Sequence, residues 1–202
     1  MNKSLADAEL VRKYSSRMRG IFSTADLGNL FAEGNRVLLH RRIAVLTEAG
    51  VLTRFCRGIY VTAGFSPEAL AGRIVEECYV SLGTVLAREM MIGTVPARTL
   101  YAVRVGKNRI FRGPGLTIEY VGLKQSLFFG YTAAEGIRYA SAEKALLDTL
   151  YFHLRGRAYS FDIYQDIDVS RVDRSLVEQW LTTYRNPRFV SFVKGYLDDR
   201  NR

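Results

Sequence analysis

The stretch of residues 35–61 narrows the possible folds more than any other part of the chain. At about 100° per residue, Leu39, Ile43 and Leu46 fall in one narrow arc of a helix over residues 35–49. Val37, Arg41, Ala44 and Glu48 point the other way, and His40 lies on the flank. Gly50 stands where a C-terminal cap belongs. Two β-prone runs follow, residues 51–55 and 59–61. Cys56-Arg57-Gly58 joins them, short enough for a hairpin turn in which glycine takes a positive φ.

Upstream, Leu5, Leu10, Tyr14 and Met18 sketch the face of a first helix, closed by Gly20. Ser23 and Asp26 have the spacing of a capping box, with Asp a weaker version of the usual Glu. Leu27, Leu30 and Phe31 supply the stripe of that second helix. Three helices and then a hairpin is the order of a winged helix-turn-helix. The expected fold class is therefore α+β, with a winged-helix domain over residues 1–62 and a second domain over 67–202. Gly64 and Pro67 punctuate the join.

The second segment changes pattern. Helices are expected over residues 68–78 and 81–91, the latter capped by Ser81. Strands are expected at 99–105, 109–111, 116–121, 127–131 and 137–139, with turns at Gly106-Lys107-Asn108 and Gly113-Pro114-Gly115. These form an antiparallel or mixed sheet. The clearest helix starts at Ser141, with Leu146, Leu150 and Leu154 on one face. Two more helices follow, over residues 170–184 and 187–198. Trp180, Tyr184, Phe189, Phe192 and Tyr196 read as core or interface.

Charge separates the segments further. The net charge is +9, from 29 Lys and Arg against 20 Asp and Glu, and only 6 of the 29 are Lys. Residues 1–62 hold 10 basic and 5 acidic side chains, or +5; residues 63–202 hold 19 and 15, or +4. From Asn35 to Arg57 there are five arginines and one acid, Glu48. Arginine grips phosphate or guanine with a planar fork. A groove-sized helix carrying Arg36, His40 and Arg41 would face the major groove, and Arg54 and Arg57 the flanking phosphates. The partner implied is double-stranded DNA; oligomeric state is not readable from the sequence, though two copies on two half-sites are compatible with this mode of binding. The competing reading is a helix-hairpin module for protein contacts whose arginines are merely solvated.

Other classes find little footing. No apolar run approaches the roughly 20 residues needed to cross a bilayer. Residues 1–9 lack the apolar core of a signal peptide. A cytoplasmic protein is expected. No phosphate-cradling glycine loop precedes a Lys-Ser or Lys-Thr pair. Ser81 has Gly83 after it but Tyr79 where a nucleophile elbow needs glycine. His40 and His153 have no partner at zinc-ligand spacing. Cys56, beside Arg57, reads as a turn or wing residue; the lesser alternative is a thiol acidified by the arginine. Asp166 and Asp168 open like a calcium loop, but Arg171 and Val177 stand where Gly and Glu belong. Glu143 and Lys144 point in different directions on a helix. The chain reads as no enzyme, without cofactor or metal. The weakest alternative is a metal-dependent transferase using Asp166 and Asp168.

Several short motifs recur in order. Arg57-Gly58-Ile59-Tyr60-Val61 closes the hairpin, Tyr79-Val80-Ser81-Leu82 begins a helix, and Ser141-Ala142-Glu143-Lys144-Ala145-Leu146-Leu147-Asp148 opens the clearest one. On these the chain resembles the AbiEi family of bacterial antitoxins, transcriptional regulators of phage-defence systems. The resemblance spans most of the chain. It implies an N-terminal winged helix that binds operator DNA and represses its own operon. It also implies a C-terminal domain that counteracts a nucleotidyltransferase toxin encoded alongside. The toxin's Gly-Ser and paired-Asp motif is absent here, so the resemblance is to the antitoxin half. A solitary regulator, or a module that neutralises a toxin by direct contact, are the alternatives.

Overall fold

The structure is a computed structural model and describes residues 3–94 and 98–199. Residues 1–2, 95–97 and 200–202, which include the outer ends of both expected domains, lie outside the described residues. The chain is an α+β protein of two compact units. One holds the residues up to Ile74 with Phe111–Thr117; the other holds Val75–Ile110 and the residues from Ile118 onward.

The first unit runs α1 (Lys3–Ser15), β1 (Ile21–Ser23), α2 (Thr24–Leu30), α3 (Arg36–Glu48), β2 (Thr53–Cys56), β3 (Ile59–Val61) and α4 (Pro67–Ile74). Helix α4, expected in the second domain, groups here. The strands form a small sheet in the order β1-β3-β2, with β3 antiparallel to both neighbours. Strand β1 was not expected; it is three residues long and exists by pairing with a strand far along the chain. Leu39, Ile43 and Leu46 of α3 are all buried, as their spacing predicts. They close a core with Val11, Phe22, Leu27, Phe31, Leu52 and Tyr60.

Local chemistry sets the ends of these helices. Ser23 and Asp26 form the expected capping box on α2, each satisfying a backbone N–H of the other. Asn35 caps α3 by accepting from Val37 and Leu38. Gly50 takes φ +69°, and its N–H and that of Val51 turn back to the carbonyls of Thr47 and Leu46. The face of α1 differs from expectation. Leu5 is exposed, while Asp7, Ala8 and Val11 are buried; Leu10, Tyr14 and Met18 pack only at the edge. Asp7 sets that rotation, because it goes inward to meet an arginine of α3.

The second unit contains β4 (Cys78–Val80), α5 (Leu82–Arg88), β5 (Thr99–Val105), β8 (Tyr131–Ala134), β9 (Ile137–Ala140), α6 (Ala142–His153), α7 (Arg174–Leu181) and α8 (Pro187–Asp198), while β6 (Arg109–Gly113) and β7 (Leu116–Leu123) each have residues in both units. The sheet order is β6-β7-β5-β4-β9-β8. It is mixed: β4 runs antiparallel to β5 and parallel to β9. Every residue from Lys144 to Phe152 is buried, and α6 packs against α5, α7 and α8. Among the described residues no helix is long and apolar enough to cross a membrane.

Several expected boundaries shift. The helix over 68–78 stops at Ile74, because Cys78, Tyr79 and Val80 form a central strand buried along its length. The helix over 81–91 is only Leu82–Arg88. Strand 127–131 is replaced by a 3-10 turn at Gln125–Leu127, and the chain re-enters the sheet at Tyr131 after Gly130 at φ +73°. Asp173 caps α7, so that helix starts later than residue 170. Strand β6 does not fold back on β5; β7 lies between them. There Gly122 passes so close to the connection after β5 that a Cβ on it would sit 1.9 Å from the Gly106 carbonyl oxygen.

Candidate nucleic-acid interface

Helix α3 carries four basic side chains, Arg36, His40, Arg41 and Arg42, and the fold sorts them. Arg42 turns inward. Its Nε and Nη2 donate to the two oxygens of Asp7 over 2.8 and 2.5 Å, and Nη1 donates to the Phe31 carbonyl. The Asp7 carboxylate is 2% exposed. Asp7 foremost, and then Glu33, to which Nη1 also donates over 3.4 Å, raise the Arg42 pKa against the opposing effect of burial. Arg42 is thus a brace between α1 and α3.

Arg36, His40 and Arg41 are exposed: Arg41 opposite the buried stripe, Arg36 and His40 along its flank. Among the described residues, neither arginine has a carboxylate within ion-pair distance. His40 is oriented by its own helix. The Arg36 carbonyl can only accept, so His40 Nδ1 donates to it over 2.8 Å and Nε2 remains an acceptor in the neutral ring. Val37, Leu38 and Val45 are also exposed on this helix, at 61%, 44% and 45%. They supply apolar surface suited to thymine methyls or to a protein.

The hairpin shows a bulge that sequence patterning did not announce. Arg54 pairs with Tyr60 and Cys56 with Ile59, leaving Phe55 unpaired. The extra residue sends Phe55 into the core while Arg54 and Arg57 are exposed. The five residues expected to touch DNA therefore all stand at the surface of one unit, three on α3 and two on the hairpin. Cys56 ends β2 at the turn, and its thiol is not acidified: burial raises its pKa, and the Arg54 charge only partly opposes this.

The second unit holds a cluster that the sequence reading missed. Tyr79 and Ser81 donate their hydroxyls to Asp148 over 2.9 and 2.8 Å. Lys144, one helical turn before, pairs with the other carboxylate oxygen. Its Nζ also lies 3.4 Å from the Tyr184 hydroxyl and 5.0 Å from the Phe129 ring centroid. Lys144, Asp148 and Ser81 are fully buried. Burial, and then the Asp148 charge, holds the Tyr79 phenol well above its ordinary range. Ser81 does not cap α5 with its side chain; the hydroxyl is committed to Asp148. The signal available was a Lys and an Asp at i,i+4 with apolar residues at every position between them.

Other candidate groups resolve into structure. Asp162, Asp166 and Asp168 accept backbone N–H bonds within their own loop. Among the described residues no group of three or more His, Cys, Asp or Glu side chains could hold a metal. His153 stacks on Phe192 and meets the edge of Tyr164.

The molecule is thus an α+β protein with one unit carrying an exposed basic helix and hairpin. No family model matches the sequence, and no curated protein matches it. Its fold is similar to the crystal structure of the RV2827C protein from Mycobacterium tuberculosis, with a TM-score of 0.60 and 12% identity over 89% of this chain and 71% of that one. At that identity the likeness is one of fold alone.

Proposed function

We propose that the chain is a sequence-specific DNA-binding regulator, whose first unit is a winged helix-turn-helix and whose second unit serves as an antitoxin domain of the AbiEi kind. The observation that carries the DNA reading is the division of α3. Leu39, Ile43 and Leu46 hold one face in the core, while Arg36 and His40 on its flank and Arg41 opposite it stand exposed, the arginines without carboxylate partners among the described residues. In this reading α2 and α3 form the helix-turn-helix. Arg36, His40 and Arg41 read base edges or adjacent phosphates, and Arg54 and Arg57 place the wing on the backbone. The antitoxin role rests on the motif resemblance and would be exercised against a nucleotidyltransferase toxin.

Fluorescence anisotropy with a fragment from upstream of its own gene tests the DNA reading. The logarithm of the affinity is expected to fall linearly with the logarithm of salt. Arg41→Ala should cost about 1–3 kcal/mol on promoter DNA if it reads a base, and less on random DNA. Arg57→Ala should weaken both and lower the salt slope by about 1. Equal affinity for promoter and random DNA, unchanged in the Arg41 variant, would overturn it.

Exposed Val37, Leu38 and Val45 favour a second reading, in which α3 docks a protein. Co-purification with a neighbouring nucleotidyltransferase, lost in Val37→Asp but kept in Arg41→Ala, would select that reading.

A further inference from the structure

A basin of about 240 Å³ opens in the second unit, between the turn after β7, the end of α6 and the connection from α7 to α8. Leu127, Tyr151 and Tyr184 form its buried lining. Lys124, Arg155 and Arg185 line it too, and all three are exposed. No acidic side chain lines it among the described residues. Nor do these three cations have a carboxylate partner among the described residues. Arg155 is oriented instead by Tyr151, whose ring centroid lies 4.8 Å from the guanidinium carbon. Stacking on a ring leaves the guanidinium edge, with its fork of N–H donors, unoccupied.

This arrangement has a chemical complement. Cations converging on one concavity without an acid repel one another and concentrate anions there. An arginine fork fits two oxygens of a phosphate, and a second arginine and a lysine complete its charge. Ser126 and Thr183 line the same basin and add hydroxyl donors. The tyrosine and leucine lining suits a ring or carbon skeleton behind the phosphate. The volume lies below the roughly 300–1,000 Å³ of drug-sized sites, which limits the occupant to a small molecule.

We propose that this basin binds the phosphate of a small phosphorylated ligand, a phosphomonoester or free phosphate. The site lies wholly in the second unit and does not depend on the DNA reading. The test is a titration of the full chain with adenosine monophosphate at constant ionic strength, followed by amide resonances in two-dimensional NMR. Saturable shifts are expected at residues 124–127, 155 and 183–186, with inorganic phosphate competing for the same resonances. Arg155→Gln combined with Arg185→Gln should weaken the apparent affinity at least tenfold. Lys124→Ala alone should weaken it less, and an unchanged thermal midpoint checks that each variant is folded. Competition by phosphate at equal strength identifies free phosphate as the occupant; tighter binding of the nucleotide identifies a phosphomonoester. Three outcomes overturn the proposal. They are shifts that do not saturate, affinity unchanged in the double variant, and equal binding of adenosine or of a dinucleotide that carries only a phosphodiester.

Discussion

Replacing Asp148 with alanine should destabilise the second unit more than any surface change in the chain. The carboxylate is fully buried and accepts from Lys144, Tyr79 and Ser81. Its removal leaves a buried ammonium with only the Tyr184 hydroxyl, at 3.4 Å, and aromatic faces around it. Breaking a buried pair by deleting one partner costs about 3–5 kcal/mol. Two hydroxyls left without an acceptor add roughly 1–3 kcal/mol each, not additively. A loss of at least about 3 kcal/mol is expected, a large fraction of the roughly 5–15 kcal/mol that holds a domain folded. Lys144→Met should cost somewhat less, because Asp148 keeps two hydroxyl donors. The double change Lys144→Met with Asp148→Leu should then fall short of the summed single losses by about 2 kcal/mol or more, since it leaves no buried charge. Urea unfolding at 25 °C measures this. Fluorescence of Trp180, the one tryptophan in the sequence, reports on the same unit, since its ring meets Phe129 at 5.5 Å between centroids. A loss below about 1 kcal/mol for Asp148→Ala, or a double variant additive to within about 0.5 kcal/mol, would refute the account of this cluster.

Arg42→Ala should lower the stability of the first unit by roughly 2–4 kcal/mol, since it strands the buried Asp7 carboxylate, whereas Arg41→Ala should shift it by less than about 0.5 kcal/mol; equal effects in chemical denaturation would be evidence against the sorting of these arginines. Burial works to raise the Asp26 pKa, but the backbone N–H and hydroxyl of Ser23, with Arg73, outweigh it and hold the group below 3.8. Its stabilisation is therefore present above pH 3.8 and lost as pH falls below that toward the lower folded value; Asp26→Asn should remove this part of the acid limb of a stability-against-pH curve. The Cys78 thiol is pushed up to about 11 by burial, so at pH 8 a disulfide reagent should modify Cys56, which is half-buried, at least tenfold faster than Cys78 in the native protein; equal rates would contradict the packing of β4.

What could be read from the sequence divides by the distance over which each feature is decided. The stripe of α3, the Ser23–Asp26 capping box and Gly50 are settled within a few residues, and each appears as its spacing predicts. Strand β4 is settled by partners elsewhere in the chain; in sequence Cys78 read as the tail of one helix and Tyr79-Val80 as the lead-in to the next. Ser81 is the sharper case. A serine before an apolar helix reads locally as a cap, yet its hydroxyl goes to a carboxylate 67 residues away. Likewise Tyr79-Val80-Ser81 and the start of α6 were visible as motifs, but only the fold joins them around Asp148.

The arginines show the same limit from the side of function. Net charge pointed to a polyanion, and the excess over residues 1–62 pointed to where it would bind. Neither quantity separates Arg41 from Arg42, adjacent on one helix and identical in charge. The difference is that the fold brings Asp7 to one and, among the described residues, no carboxylate to the other. The second unit repeats the point with opposite consequence. Arg157 is matched by Glu119 and Lys144 by Asp148. Lys124, Arg155 and Arg185 have no carboxylate partner among the described residues, and they converge on one basin. A thin net charge spread over a long segment therefore conceals a local concentration. A cation left unmatched beside other unmatched cations is where an anion gains most from binding, and the count of charges along the chain does not reveal it.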